Sequence, residues 1–166
     1  MSEREFFEDN RALWNMRTPI HLKSAFYDVA SFKAGRTTLC GIEQEEIGEL
    51  AGRSLLHLQC HFGLDTLSWA RLGAQVTGLD FSGAAVHAAR ELADKAGLQA
   101  RFVQAEVTLA AQHVGQHDIV FTSWGVLGWL PDLNAWARAA FACCRPGGFF
   151  YNLLVPHPGR DPDGLA

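Results

Sequence analysis

The sequence predicts an α/β protein, a doubly wound and mostly parallel sheet behind an N-terminal helical arm. Three observations predict it. From residue 55 onward short apolar runs alternate with amphipathic helical stretches, the pattern of a parallel sheet wrapped by helices on both faces. The stretch Ser54-Leu-Leu-His-Leu-Gln-Cys-His-Phe-Gly63 reads as strand, tight turn and helix start, and Val76-Thr-Gly-Leu-Asp80 then reads as a second strand ending on a carboxylate. Finally, 166 residues that are 48% hydrophobic and 19% charged suffice for one buried core.

The elements follow in order. Phe6, Phe7, Leu13, Trp14 and Met16 recur at helical spacing, and Thr18-Pro19 predicts the end of that helix, because proline disfavours helix in the residue before it. Further amphipathic stretches cover Leu22 to Val29 and Ile42 to Leu50, the latter stopped by Gly52. Strands are expected at Leu55 to Leu58, Gln75 to Leu79, Ala100 to Val103, Asp118 to Thr122 and Phe149 to Leu154, each apolar enough for burial on both faces. Helices are expected at Asp65 to Leu72, Ser82 to Ala96 and Asp132 to Cys143, with Ser82 and Asp132 as N-caps and Gly73 and Gly97 as stops. Arg145-Pro-Gly-Gly148 reads as the turn into the fifth strand. Three units result: a helical arm or lid (1–51), a ligand-binding core (52–155) and a flexible proline- and glycine-rich tail (156–166).

Composition narrows the function. A net charge of −4 supplies no basic field for sequence-independent nucleic-acid binding. No apolar run approaches the span of a bilayer, and Met1-Ser-Glu-Arg-Glu5 is charged where a signal peptide is apolar. The four cysteines, Cys40, Cys60 and the adjacent Cys143-Cys144, form no disulfide framework, so the expectation is a reducing cytoplasm. His57, Cys60 and His61 lack a second ligand pair at zinc spacing, and no metal is expected.

The turn after the first strand points to a nucleoside. A helix N-terminus offers free backbone N–H groups, and an acid ending the next strand accepts ribose hydroxyls. Gln59 and His61 stand where a pyrophosphate would need glycine, which argues against a dinucleotide and so against a nicotinamide-dependent oxidoreductase.

Taken together, Ser54 to Gly63, Val76 to Ser82, Arg101-Phe-Val-Gln-Ala-Glu106, His117-Asp-Ile-Val-Phe-Thr-Ser-Trp124 and Arg145-Pro-Gly-Gly148 resemble the successive motifs of a class I S-adenosylmethionine-dependent methyltransferase. The wording of Leu56 to Thr66 and of Asn10-Arg-Ala-Leu-Trp14 resembles a bacterial subgroup of undefined acceptor. The resemblance implies a Rossmann-like sheet of seven strands, of which this chain supplies five, as a truncated member would. It implies S-adenosyl-L-methionine as cofactor and a small-molecule acceptor. A truncated, non-catalytic relative that binds the cofactor weakly is the alternative.

The resemblance also distributes roles. Gln59, Cys60, His61 and Gly63 would meet the methionine part of the cofactor, with N–H groups at Leu64, Asp65 and Thr66 for its carboxylate. Asp80 would take the ribose hydroxyls, Phe81 would pack along the adenine beside Ser82, and Glu106 would receive the adenine amino group. Ser123 and Trp124 stand at the productive end of the fourth strand. Asp80 as a strand-end or capping acid, Glu106 as a solvated loop residue and Trp124 as core remain open. Trp14, Arg17, His21 and Tyr27 of the arm are candidates for acceptor binding, and no catalytic residue is assigned. Asp118 begins its strand, at the wrong end of the sheet for ligands, and is expected to be structural. An open edge at the fifth strand would invite pairing with a second copy.

Overall fold

The structure, a computed structural model, describes residues 3–153. Five parallel strands, β1 (Ser54–Leu58), β2 (Gln75–Asp80), β3 (Arg101–Gln104), β4 (His117–Thr122) and β5 (Cys144–Asn152), lie in the order β3-β2-β1-β4-β5. Helices α4 (Leu64–Arg71), α5 (Gly83–Ala96), α6 (Ala110–Val114) and α7 (Leu133–Cys143) connect them. The chain order reverses at β1, between β2 and β4, and ligand crevices form beyond the carboxyl ends of strands at such a point. The predicted tail (156–166) and Leu154 lie outside the described residues.

Alternation along the central strands sorts the core. Leu56 and Leu58 of β1 join Val120, Trp136 and Cys143 on one face, whereas Leu55 joins Ile119, Phe121 and Trp69 on the other. A third cluster, with Phe32, Phe62, Leu67, Val86 and Phe102, packs α4 and α5 together. Ser82 and Asp132 cap α5 and α7, their side chains accepting from the N–H groups of Ala85 and of Asn134 and Ala135.

Several expectations need correction. Helix α1 (Glu3–His21) does not stop at Thr18 but runs through Pro19. Proline in the last turn removes a single donor, and Leu22 N–H still reaches the Thr18 carbonyl at 3.0 Å. Leu22 to Val29 is not a helix: successive turns lead to Asp28, whose left-handed φ of 41° caps the short α2 (Val29–Lys33). Helix α3 (Gly41–Ile47) ends at Gly48, φ 71°, before reaching Gly52. Arg145-Pro-Gly-Gly148 is no turn but a bulge inside β5, whose register passes from His117–Cys144 to Ile119–Phe149. Pro146 is tolerated there because a bulged edge does not need its missing N–H.

Burial on both faces holds for β1, β2 and β4 but not for β3 and β5. Among the described residues both are edge strands, and Phe150 is 39% exposed.

Candidate functional site

The site begins at the turn after β1. Gln59 and His61 adopt left-handed φ values of 56° and 51°, and Gly63, φ 80°, starts α4. Left-handed backbone at non-glycine residues costs about 1–2 kcal/mol each and marks a conformation imposed from outside the turn. Gly63 is required twice over, because a Cβ there would lie 2.7 Å from Phe102 Cζ.

Asp80 supplies much of what holds the turn. Its Oδ2 accepts from His61 N–H and its Oδ1 from Ser82 N–H, both at 2.8 Å. Burial pushes its carboxyl up to about 6, against the downward pull of those N–H groups. Asp80 thus braces the strand end and the turn while Ser82 caps α5, yet each carboxylate oxygen keeps a second lone pair, and Asp80 also lines a cavity.

That cavity measures about 440 Å³ and lies beyond the carboxyl ends of β1, β2 and β4, covered by α1 and the segment after it. Of the predicted core residues, Gln59, Cys60, His61, Gly63, Asp65, Asp80, Phe81, Ser123 and Trp124 line it, and so do Trp14, Arg17, His21 and Tyr27 from the arm. Thr66, Ser82 and Glu106 do not. Thr66 is buried behind the wall against His57, Ser82 donates from Oγ to Asn15 Oδ1 at 2.7 Å, and Glu106 stands at the start of a 3-10 turn whose neighbours Ala105 and Val107 reach the cavity instead.

His57 is fully buried on β1. Its Nδ1 shares a hydrogen bond with Thr66 Oγ1 at 2.8 Å and its Nε2 lies 3.4 Å from Ser123 Oγ. Burial lowers its pKa to about 3, so it is a neutral pin between α4 and the end of β4. The thiol of Cys60 is pushed up by burial and by Asp80, which leaves it inert. Among the described residues no three His, Cys, Asp or Glu side chains group to hold a metal ion.

Above the turn, His21 of α1 meets His61, and Trp14 and Tyr27 pack against both rings. Trp14 also meets Trp129, and the guanidinium of Arg17 lies over both indoles. Asp65, at the start of α4, accepts from Thr38 Oγ1, so a carboxylate already occupies part of that helix end.

Asn10, Phe26, Thr38 and Trp129 line the cavity without having been anticipated. Trp129 lies in a 3-10 turn after β4, where the sequence shows no periodicity, and Asn10 and Thr38 are drawn in by the path of the arm.

Fold and site together define a doubly wound α/β protein with a nucleoside-sized crevice at its switch point. The chain belongs to the methyltransferase domain family, whose pattern matches residues 56–150. It is 38% identical over 116 residues to a ubiquinone biosynthesis O-methyltransferase of Escherichia fergusonii, covering 69% of this chain and 48% of that protein. The chain thus spans about half the length of the curated relatives it matches. Among solved structures, phosphoethanolamine N-methyltransferase 1 of Haemonchus contortus, bound to phosphoethanolamine and S-adenosylhomocysteine, superposes with a TM-score of 0.67 at 17% identity, covering 92% of this chain and 33% of that one. The DhpI–S-adenosylhomocysteine complex gives 0.66 at 22% identity, covering 91% and 70%. At these identities the likeness concerns the fold.

Proposed function

We propose that the cavity binds S-adenosyl-L-methionine and that the chain transfers its methyl group to a small molecule. The observation that carries this reading is Asp80, a buried carboxylate ending β2 at the wall of a cavity beside the left-handed turn 59–63. The donor set suits a nucleoside: an acid for ribose hydroxyls, Phe81 and Leu79 for an apolar ring, and turn backbone for an amino-acid tail. The relatives' names and the complexes with S-adenosylhomocysteine support the same assignment.

When bound, the sulfonium supplies an electrophilic methyl group and a thioether leaving group. The chain's own work is alignment and exclusion of water. Trp14, Trp124 and Trp129 wall the cavity, and the described residues of the arm, from Phe7 to Thr38, act as its lid, which is catalysis by proximity in a dry site. Where the acceptor carries a proton, His21 is placed to accept it, since burial and Arg17 hold its pKa below the ordinary value and keep the ring neutral at pH 7. We place the protein in the cytoplasm, supported by four free cysteines and by the absence, among the described residues, of any helix long and apolar enough to cross a membrane. Among the described residues β5 is an edge strand and suits pairing with a second copy, and a monomeric mass in solution would remove that part of the reading.

Calorimetric titration with S-adenosylhomocysteine tests the proposal. The wild type should bind saturably, and Asp80→Asn, checked for folding by circular dichroism, should bind about tenfold or more weakly, as loss of a charge-assisted hydrogen bond predicts. A folded wild type that binds nothing would overturn it.

A further inference from the structure

Arg17 is a half-buried cation that no acid among the described residues pairs. The other cavity-lining charges are engaged, Asp65 by Thr38 and Asp80 by the N–H groups of His61 and Ser82. Among the other described arginines, Arg11 pairs with Glu8, Arg36 with Asp28 and Arg145 with Asp118, whereas Arg71, Arg90 and Arg101 donate to backbone carbonyls. Arg17 pairs with none among the described residues. Its guanidinium carbon sits 5.7 Å from the ring centre of Trp14 and 5.3 Å from that of Trp129. Indole faces stabilise the charge but accept no in-plane hydrogen bond, so the donor fork keeps its capacity for a planar anion. Trp14, Trp129, Trp124 and Phe26 line the same cavity, and aromatic walls of this kind suit a flat ligand body.

We propose that Arg17 receives a carboxylate on the methyl acceptor, which makes the substrate class a small, flat carboxylic acid. The inference rests on the methyltransferase reading for the word acceptor, but the arginine site can be tested apart from it. A carboxylate could reach Arg17 from two sources, the acceptor or the amino-acid part of the cofactor, and the experiment separates them.

Wild type and Arg17→Gln, both checked for folding by circular dichroism, are titrated with benzoate, 4-hydroxybenzoate, indole-3-acetate and their primary amides, with and without saturating S-adenosylhomocysteine. At least one acid should bind wild type about tenfold or more tightly than its amide, the scale of a charge-assisted bidentate contact. The preference should vanish in Arg17→Gln, with the affinity for S-adenosylhomocysteine unchanged. The proposal is overturned if acids bind no better than amides or not at all. It is equally overturned if Arg17→Gln weakens S-adenosylhomocysteine but not 5′-methylthioadenosine, which would assign the arginine to the cofactor's own carboxylate. Arginine-dependent binding of an acid by a wild type that fails to bind S-adenosylhomocysteine would uphold the carboxylate site while removing the methyltransferase reading.

Discussion

His21 Nδ1 and His61 Nε2 lie 2.9 Å apart, one ring carried by α1 and the other by the turn after β1. This hydrogen bond ties the arm to the turn that Asp80 also holds, and among the described residues it leaves His61 Nδ1 buried without a partner. His21→Ala should therefore loosen the end of α1 with little effect on the sheet. The expected loss is about 1 kcal/mol, read as faster amide exchange in residues 14–21 with unchanged exchange in β1 and β4.

Stability should fall as the solution is acidified from neutrality. His57 and His61 each have folded pKa values of about 3 against 6.5 when unfolded, so between those limits the unfolded chain binds about two more protons. Asp80 works in the opposite sense, since its folded value of about 6 exceeds the unfolded 3.8 and the native state binds one more proton in that window. These three groups give a net excess of about one proton, to which His21 and His117, also lowered by burial, add in the same sense, and chemical denaturation should show a loss of at least roughly 1.4 kcal/mol per pH unit between pH 6 and 4. His57→Gln should flatten that slope.

Ligand affinity should follow the ionisation of Asp80. A carboxylate accepts ribose hydroxyls better than the neutral acid does, and its pKa is about 6 in the free protein. Affinity for S-adenosylhomocysteine should be flat above neutrality and weaken as pH falls through about 6. Calorimetry from pH 5 to 8 reads this directly, and Asp80→Asn should abolish the dependence.

Gly63→Ala should destabilise by about 2–4 kcal/mol, because it combines a left-handed φ of 80° with a 2.7 Å approach to Phe102 Cζ. A fall in Tm of several degrees in a thermal melt would be consistent. No shift would mean that Phe102 can move aside.

Asp118 offers the contrast to Asp80. Its Oδ2 accepts from Ser54 N–H at 2.8 Å and Ser54 Oγ at 2.7 Å, its Oδ1 pairs with Arg145, and it lies outside the cavity at the amino ends of the strands. Asp118→Asn should cost about 1–2 kcal/mol in denaturant unfolding and leave ligand affinity unchanged.

How much was legible beforehand varies by element. The sheet, α5 and α7 could be read because apolar runs of strand length, bounded by Ser82, Gly97 and Asp132, admit few alternatives. The arm was misread at Pro19 and at Leu22 to Val29. Proline and apolar spacing there compete with short-range hydrogen bonds such as Thr18 Oγ1 to Trp14 O within α1 and the capping of α2 by Asp28. The Arg145–Gly148 bulge was read as a turn because only the register of β5 against β4 distinguishes the two.

The sequence by itself determined the order of strands and helices, the turn at residues 59–63 and the acid at the end of β2. Each of these is written in contiguous residues whose periodicity and backbone preferences act locally. Tertiary structure decided that His21 would meet His61, that Arg17 would lie between Trp14 and Trp129, and that Thr66, Ser82 and Glu106 would face away from the cavity. The physical reason is that the His21, Arg17 and Ser82 relations depend on the path of α1, while Thr66 is drawn to His57 across the wall and Glu106 opens a 3-10 turn. Packing of the arm against α5 and the β1 turn sets that path, and no period in the sequence encodes it.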